Sequence, residues 1–241
     1  MQLVDKVAIV TGAGGAIGQA ISGGLAREGA KVAASDLDLK AAQRTVSLLG
    51  PNSIAIQADV STPEDVTRMM EEAIRRYGRL DILVNNAGIC PRKPVLEMEL
   101  AEWDRVLAVN LRSMFLCCKA AALIMKEQGG GKIVNVTSGR GQSGMNGAAH
   151  YAASKGGVTA LTRTLGMEWS PLNINVNAVG PGMTLSPMTK AIFSEEQLRE
   201  RAAQTPDKRL GEPEDVVGAV IYLSSDASKA MYGQIIYMKT P

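Results

Sequence analysis

Seven short runs of β-branched and small apolar residues punctuate this chain, separated by longer stretches with helical patterning. The runs are VAIV (Val7–Val10), VAAS (Val32–Ser35), SIAIQA (Ser53–Ala58), DILVNN (Asp81–Asn86), KIVNVTS (Lys132–Ser138), INVNAV (Ile174–Val179) and QIIYM (Gln234–Met238). Such short apolar runs fit strands covered on both faces. Helical patterns occupy Ala16–Glu28, Thr62–Tyr77, Glu102–Lys126, Ala149–Trp169 and Pro213–Leu223, the second and the last with Pro in the first turn. This β-α-β-α order predicts an α/β protein with a mostly parallel, doubly wound sheet. One segment interrupts the rhythm. Gly180–Arg209 is polar, contains Met and Pro, and is weakly helical around Ser194–Ala203. A long insertion in a compact domain is often functional, so a substrate lid is predicted over 183–209.

Composition narrows the function classes. The 241 residues suffice for a single domain spanning 1–241 with a substantial core. A net charge of +2 supplies no basic field for nucleic acid or anionic membrane. No apolar run reaches the ~18 residues of a membrane span, and the N-terminus MQLVDKVAIV lacks the pattern of a secretory signal. Three cysteines, Cys90, Cys117 and Cys118, are too few for a disulfide framework and point to a reducing, cytoplasmic setting. The adjacent pair has no C-x-x-C partner, so it reads as buried small hydrophobes and no metal is expected.

Between the first strand and first helix lies TGAGGAIG (Thr11–Gly18). Small residues there let backbone approach a pyrophosphate, and the helix N-terminus offers free N–H groups and positive dipole. Gly12, Gly14, Gly15, Ile17 and Gly18 are therefore cofactor-binding candidates. Asp36 closes the second strand, 18 positions after Gly18, with Leu37 behind it. A carboxylate there accepts both hydroxyls of an adenosine ribose and repels a 2′-phosphate, so NAD is expected over NADP.

Further residues make the pattern specific: NNAG (Asn85–Gly88), Asn110 in LAVNLRSMF, Ser138 in IVNVTS, YAASK (Tyr151–Lys155), Pro181–Gly182, and RLGEPEDV (Arg209–Val216). Together and in this order they resemble the short-chain dehydrogenase/reductase family, over essentially the whole chain and close to its 3-oxoacyl reductases in length and motifs. The resemblance implies a single Rossmann-like domain with a seven-stranded sheet and helices on both faces. It also implies NAD(P)-dependent interconversion of an alcohol and a ketone, usually by a homotetramer. Tyr151 and Lys155, at i and i+4, share a helix face. A phenol of pKa ~10 is a poor base near neutrality. A neighbouring ammonium favours the phenolate, which lets Tyr151 exchange a proton with the substrate oxygen. Ser138, at a strand's carboxyl end, can hydrogen-bond that oxygen as charge develops. By resemblance, Lys155 also holds the nicotinamide ribose and Asn110 binds a water in a relay to Lys155. Likewise Asp59 and Val60 flank the adenine, while Asn86, Ala87, Gly88, Pro181, Gly182, Thr184 and Ser186 line the cofactor.

The sequence departs from the family at Ala16, where a glycine is usual, and at the terminal Lys239-Thr240-Pro241. Leu172 stands where acyl-carrier-protein reductases often carry a docking Arg. Substrate contacts are expected from Ser138, Arg140, Met145, His150, Met183 and Met188. The main reading is an NAD-dependent oxidoreductase acting on a small secondary alcohol or its ketone. A 3-oxoacyl thioester reductase is the enzymatic alternative, disfavoured by Asp36 and Leu172. A dinucleotide-binding sensor is the non-enzymatic one.

Overall fold

A computed structural model describes residues 1–238, the side chain of Met188 excepted. Seven strands form one fully parallel sheet: β1 (Val7–Thr11), β2 (Lys31–Asp36), β3 (Ile54–Gln57), β4 (Ile82–Asn85), β5 (Gly131–Val136), β6 (Ile174–Gly180) and β7 (Ile235–Tyr237), in the order β3-β2-β1-β4-β5-β6-β7. The chain winds outward from β1 in one direction and, after crossing over, from β4 in the other. Between their carboxyl ends opens the crevice where such sheets bind ligands.

Alternation within the strands divides the core. Ile9, Ala33, Leu83, Ile133 and Val176 face one side, and Ala8, Val10, Val32, Ile82 and Val134 the other. The first face is covered by α3 (Pro63–Tyr77), α5 (Ser113–Glu127) and α7 (Ala149–Trp169), while α4 (Leu100–Leu107), which leads into α5, packs against α7. The second is covered by α1 (Ala16–Arg27) and α10 (Val217–Ser224). Shorter helices are α2 (Leu39–Val46), α6 (Arg140–Ser143), α8 (Pro187–Ile192) and α9 (Glu195–Ala203). Local chemistry sets the ends of α3: Pro63 opens it, Glu64 and Asp65 lie in its first turn, and Gly78 closes it at φ 78°.

Two departures from the sequence reading bear on the site. The helix expected over Glu102–Lys126 runs from Leu100 to Glu127 but contains a π-helical turn, Ala108–Arg112, around Asn110. Helix α2 escaped the sequence reading because it has only two turns. Its start is set by Asp38, whose carboxylate accepts the Lys40 N–H at 2.9 Å. The continuous Leu100–Glu127 stretch is, among the described residues, the one helix long and apolar enough to cross a membrane. Its apolar side is used instead in the core, through Cys117, Cys118, Ala121 and Met125. The terminal Lys239-Thr240-Pro241 departure lies outside the described residues.

Candidate active site

At the carboxyl edge of the sheet is a cleft of about 1010 Å3, running from the glycine loop to the 183–209 segment. The loop is shaped by contacts that admit no side chain. A Cβ on Gly18 would lie 2.2 Å from the Gly12 carbonyl oxygen, and one on Gly14 would lie 2.4 Å from Ala41 Cβ. Gly12 takes φ +62°, and a Cβ there would lie 2.8 Å from Ala87 Cα. Gly15 differs, since its Cβ would meet Gly12 O at an ordinary 3.5 Å. Ala16 is simply the first residue of α1, with its methyl already accommodated at the cleft wall. The tight approaches are at positions 12, 14 and 18.

Two neighbouring strands brace the turn. Asn86 Nδ2 donates to the carbonyls of Thr11 and Gly12, both at 3.0 Å, and Thr11 Oγ1 accepts the N–H groups of Asn86 and Ala87. Asp36 Oδ2 accepts the Gly14 N–H at 2.9 Å, and Oδ1 accepts the Asp38 N–H at 3.0 Å. The Asp36 carboxylate thus ties the end of β2 to the loop while lining the cleft. Leu37, Asp59, Val60, Asn86, Ala87 and Gly88 line the same end. Pro181, Gly182, Thr184 and Ser186 line the other side, with Ile17 among the loop residues. Every cofactor-binding candidate from the sequence therefore faces one cavity. A glycine cradle that a Cβ would fill, opening onto a helix N-terminus with a carboxylate beyond it, fits a dinucleotide.

The other half of the cleft is organised by α7. A buried polar ladder anchors this helix to the sheet: Asn85 Nδ2 donates to Asn135 Oδ1 at 2.9 Å, and Asn135 Nδ2 to Thr162 Oγ1 at 3.0 Å. Thr137 Oγ1 donates to the Lys155 carbonyl at 2.9 Å. The helix so held presents Tyr151 and Lys155 to the cleft, opposite Ser138. Lys155 is buried, its Nζ donating to the Val136 carbonyl at 2.8 Å and lying 5.7 Å from the Tyr151 ring centre.

Electrostatically the pair is shaped first by burial. Burial pushes the Tyr151 phenol up to about 12, aided by the nearby Cys90 thiol and opposed by hydrogen bonding with Ser138 and the charge of Arg140. Burial pushes the Lys155 ammonium down to about 8. Ser138 and Arg140 are among the groups that favour the phenolate, and the charge of Lys155 is itself penalised by desolvation.

Asn110 sits in the π turn, fully buried and just behind the cleft wall. Its Oδ1 accepts the Ile89 N–H at 2.8 Å, and its Nδ2 donates to the Ile89 carbonyl at 2.9 Å and to Ser154 Oγ at 3.1 Å. Asn110 therefore clamps the β4 loop to α7. A Cβ on Gly88 would lie 3.3 Å from Asn110 Oδ1 and 3.6 Å from Lys155 Nζ, so both groups converge behind Gly88.

The expected substrate contacts divide. Ser138, Arg140, Met145 and Met183 line the cleft. His150 does not: it is fully buried and absent from the cleft wall, with Glu102 of α4 close enough to bias its charge. One position along a helix turns a side chain by about 100°, which carries His150 away from the face shared by Tyr151 and Lys155. The Met188 side chain lies outside the described residues. The 183–209 segment folds as α8 and α9, its two ends stapled by Leu185 N–H to Gly211 O at 2.7 Å and Gly211 N–H to Met183 O at 2.8 Å. Phe193 closes the Met183–Phe193 stretch expected as a pocket wall and does line the cleft, whereas sequence reasoning missed Cys90 and Arg201. Cys90, two residues beyond Gly88, was within reach of a spacing argument. Arg201 carries no local signal, since only the packing of α9 turns it inward.

Comparison with known proteins gives a consistent result. A family profile described as enoyl-(acyl carrier protein) reductase matches residues 12–240. The 3-oxoacyl-[acyl-carrier-protein] reductase FabG of Staphylococcus epidermidis is 38% identical over 239 residues, covering 98% of each chain. Its namesake from Vibrio cholerae is 37% identical over 238 residues, 99% of this chain and 97% of the other. Among solved structures, levodione reductase superposes with a TM-score of 0.95 at 31% identity, covering 99% of this chain and 97% of the other.

Proposed function

The chain belongs to the short-chain dehydrogenase/reductase family, and from that premise we propose that it is an NAD-dependent enzyme interconverting a small secondary alcohol and its ketone. The oxidoreductase class, acting on a CH–OH or keto group, comes with the family. The observation that carries the finer reading is the convergence of Ser138, Tyr151 and Lys155 on one cleft with the glycine loop. Gly12, Gly14, Gly18 and the first turn of α1 would hold the pyrophosphate, and Asp36 the adenosine ribose. A nicotinamide dinucleotide supplies or accepts the hydride when bound. Ser138 and Tyr151 orient the substrate oxygen. In reduction the Tyr151 phenol gives its proton to that oxygen, and in oxidation it takes one back. Lys155 borders the phenol and is held by the Val136 carbonyl, its lowered proton affinity suiting it to pass a proton onward.

Asp36 supports NAD over NADP, because a 2′-phosphate beside it would meet a second carboxylate, Asp38, two residues on. Reduction of 3-oxoacyl thioesters is the second reading, favoured by the names of the relatives. The test is a panel of secondary alcohols, ketones and 3-oxoacyl thioesters, each with NAD(H) and NADP(H), followed at the reduced-nicotinamide absorbance. Turnover of small alcohols with a preference for NAD is expected. A large preference for NADP, or turnover of thioesters alone, refutes the finer reading. Tyr151→Phe should lose at least ~10²-fold in kcat, the contribution typical of general acid–base catalysis, yet still bind NADH. NADH binding with no turnover of any substrate would instead favour a sensor.

Cytoplasmic residence and assembly into a homotetramer complete the proposal. Exposed Leu100, Phe115 and Leu123 along α4 and α5, with Met167 on α7, support a subunit contact there.

A further inference from the structure

The ionisable groups on the cleft wall are sorted by sign along its length. Its carboxylates, Asp36 and Asp59, are both at the adenosine end. The other charged lining residues are all cationic, and three are arginines with no carboxylate partner among the described residues: Arg105 of α4, Arg140 and Arg201, the last two flanking the Ser138 and 183–209 end. Arg140 begins α6, two residues after Ser138. Its guanidinium makes one long hydrogen bond, Nη1 to Ser143 Oγ at 3.4 Å. Arg201, on α9, lies over the Phe193 ring at 4.3 Å. Elsewhere on the segment the pattern reverses. Arg199, on the same helix but not on the cleft wall, pairs with Glu195 at 3.4 Å, and Arg209 pairs with Asp207 at 3.2 Å and Asp215 at 2.8 Å. The outward arginines are thus neutralised and the inward one is not.

We propose that Arg140 and Arg201 form the recognition site for an anionic group on the substrate, which is a short hydroxy acid or keto acid bearing a free carboxylate. This rests on the alcohol–ketone reading and names its substrate class. Guanidinium forks match carboxylate geometry, and two of them lining one cleft can provide charge-assisted hydrogen bonds to an anion held there. Arg140 adjoins Ser138, and its charge reaches the Tyr151 phenol, so the carboxylate sits only a few bonds from the reacting carbon. Apolar Met145, Met183 and Phe193 share this wall with uncharged polar groups such as Ser143, Thr189 and Gln204, which leaves the arginines as its charged anchors.

Matched pairs test the idea: short hydroxy acids and their methyl esters, compared as kcat/KM with saturating cofactor. A charge-assisted contact is worth roughly 1.5–3 kcal/mol, so the acid should lead its ester by about 10-fold or more. Arg201→Gln and Arg140→Gln should each shrink that ratio toward one, chiefly through KM of the acid. Ester turnover equal to acid turnover, or an acid preference that survives both substitutions, overturns the inference and leaves the alcohol–ketone reading standing. So does a fall in NADH affinity in Arg201→Gln with acid and ester losing equally, because the charge would then serve the cofactor. Failure of both members of every pair also overturns the inference, and turnover of the secondary-alcohol panel then shows whether the alcohol–ketone reading stands.

Discussion

Within the glycine loop, neighbouring positions should respond very differently to one added methyl group. Gly18→Ala drives a Cβ to 2.2 Å from the Gly12 carbonyl, with Ala13 Cα at 2.8 Å, and both neighbours are backbone that cannot turn aside. We expect a loss on the order of 1–3 kcal/mol in stability, together with loss of NADH binding as the loop is pushed open. Gly15→Ala meets nothing closer than 3.5 Å, at φ −77°, and should stay within about 0.5 kcal/mol of the parent. Thermal unfolding and a fluorescence titration with NADH read both effects, and equal behaviour of the two variants would contradict this account. The same geometry explains why Ala16 is tolerated. The residue types and spacing at Tyr151, Lys155 and Ser138 were legible in the sequence because a helix fixes which side chains share a face. Their electrostatics were not, because desolvation depends on how much protein surrounds each group. That surrounding protein pushes the phenol up by burial and brings in Ser138 and Arg140 as groups that pull its pKa downward.

At the scale of elements, the N-terminus of α7 decides how Tyr151 is held. Its N-cap is Ala148, which offers no side-chain acceptor. Instead the Tyr151 N–H donates to Nδ1 of His150 at 2.8 Å, so a buried imidazole caps the catalytic helix from within its first turn. That role requires an unprotonated Nδ1. Burial holds the His150 pKa below its ordinary 6.5, against the opposing pulls of Glu102 and the Ala148 backbone. The unfolded chain therefore binds a proton at His150 that the folded chain resists. The neutral cap is fully retained above about pH 6.5, and stability falls as the pH drops below it. His150→Asn should flatten this acid limb in denaturant titrations between pH 7 and 5, and an unchanged slope would show that His150 does not carry it. The π turn around Asn110 belongs to the same scale. Asn110 was singled out in the sequence as a break in the apolar pattern, yet the extra residue in the turn appears only when Ile89 and Ser154 supply its partners.

For the whole molecule, the exposed apolar residues of α4, α5 and α7 predict assembly. Multi-angle light scattering should report a tetramer, and Phe115→Asp combined with Leu123→Asp should shift it toward smaller species without melting the subunit, since both side chains are already exposed. A parent chain that remains monomeric at micromolar concentration would remove the basis for this interface. The doubly wound sheet was determined by the sequence alone. Seven short apolar runs separated by helical periods bury both faces of each central strand in few other arrangements, and the observed parallel order follows. The glycine loop and Asp36 were also named by local pattern, because each lies where a strand ends, and Ser138 and the Tyr151 helix were named by the family-like order of motifs in which they fall. Tertiary structure decided what local pattern cannot encode: that His150 turns into the protein as a helix cap, that Asn110 clamps a loop, and that α9 faces Arg201 into the cleft while Arg199 finds a carboxylate outside. Local periodicity fixes the direction of a side chain relative to its own element. Only the packing of elements far apart in sequence fixes what that direction meets.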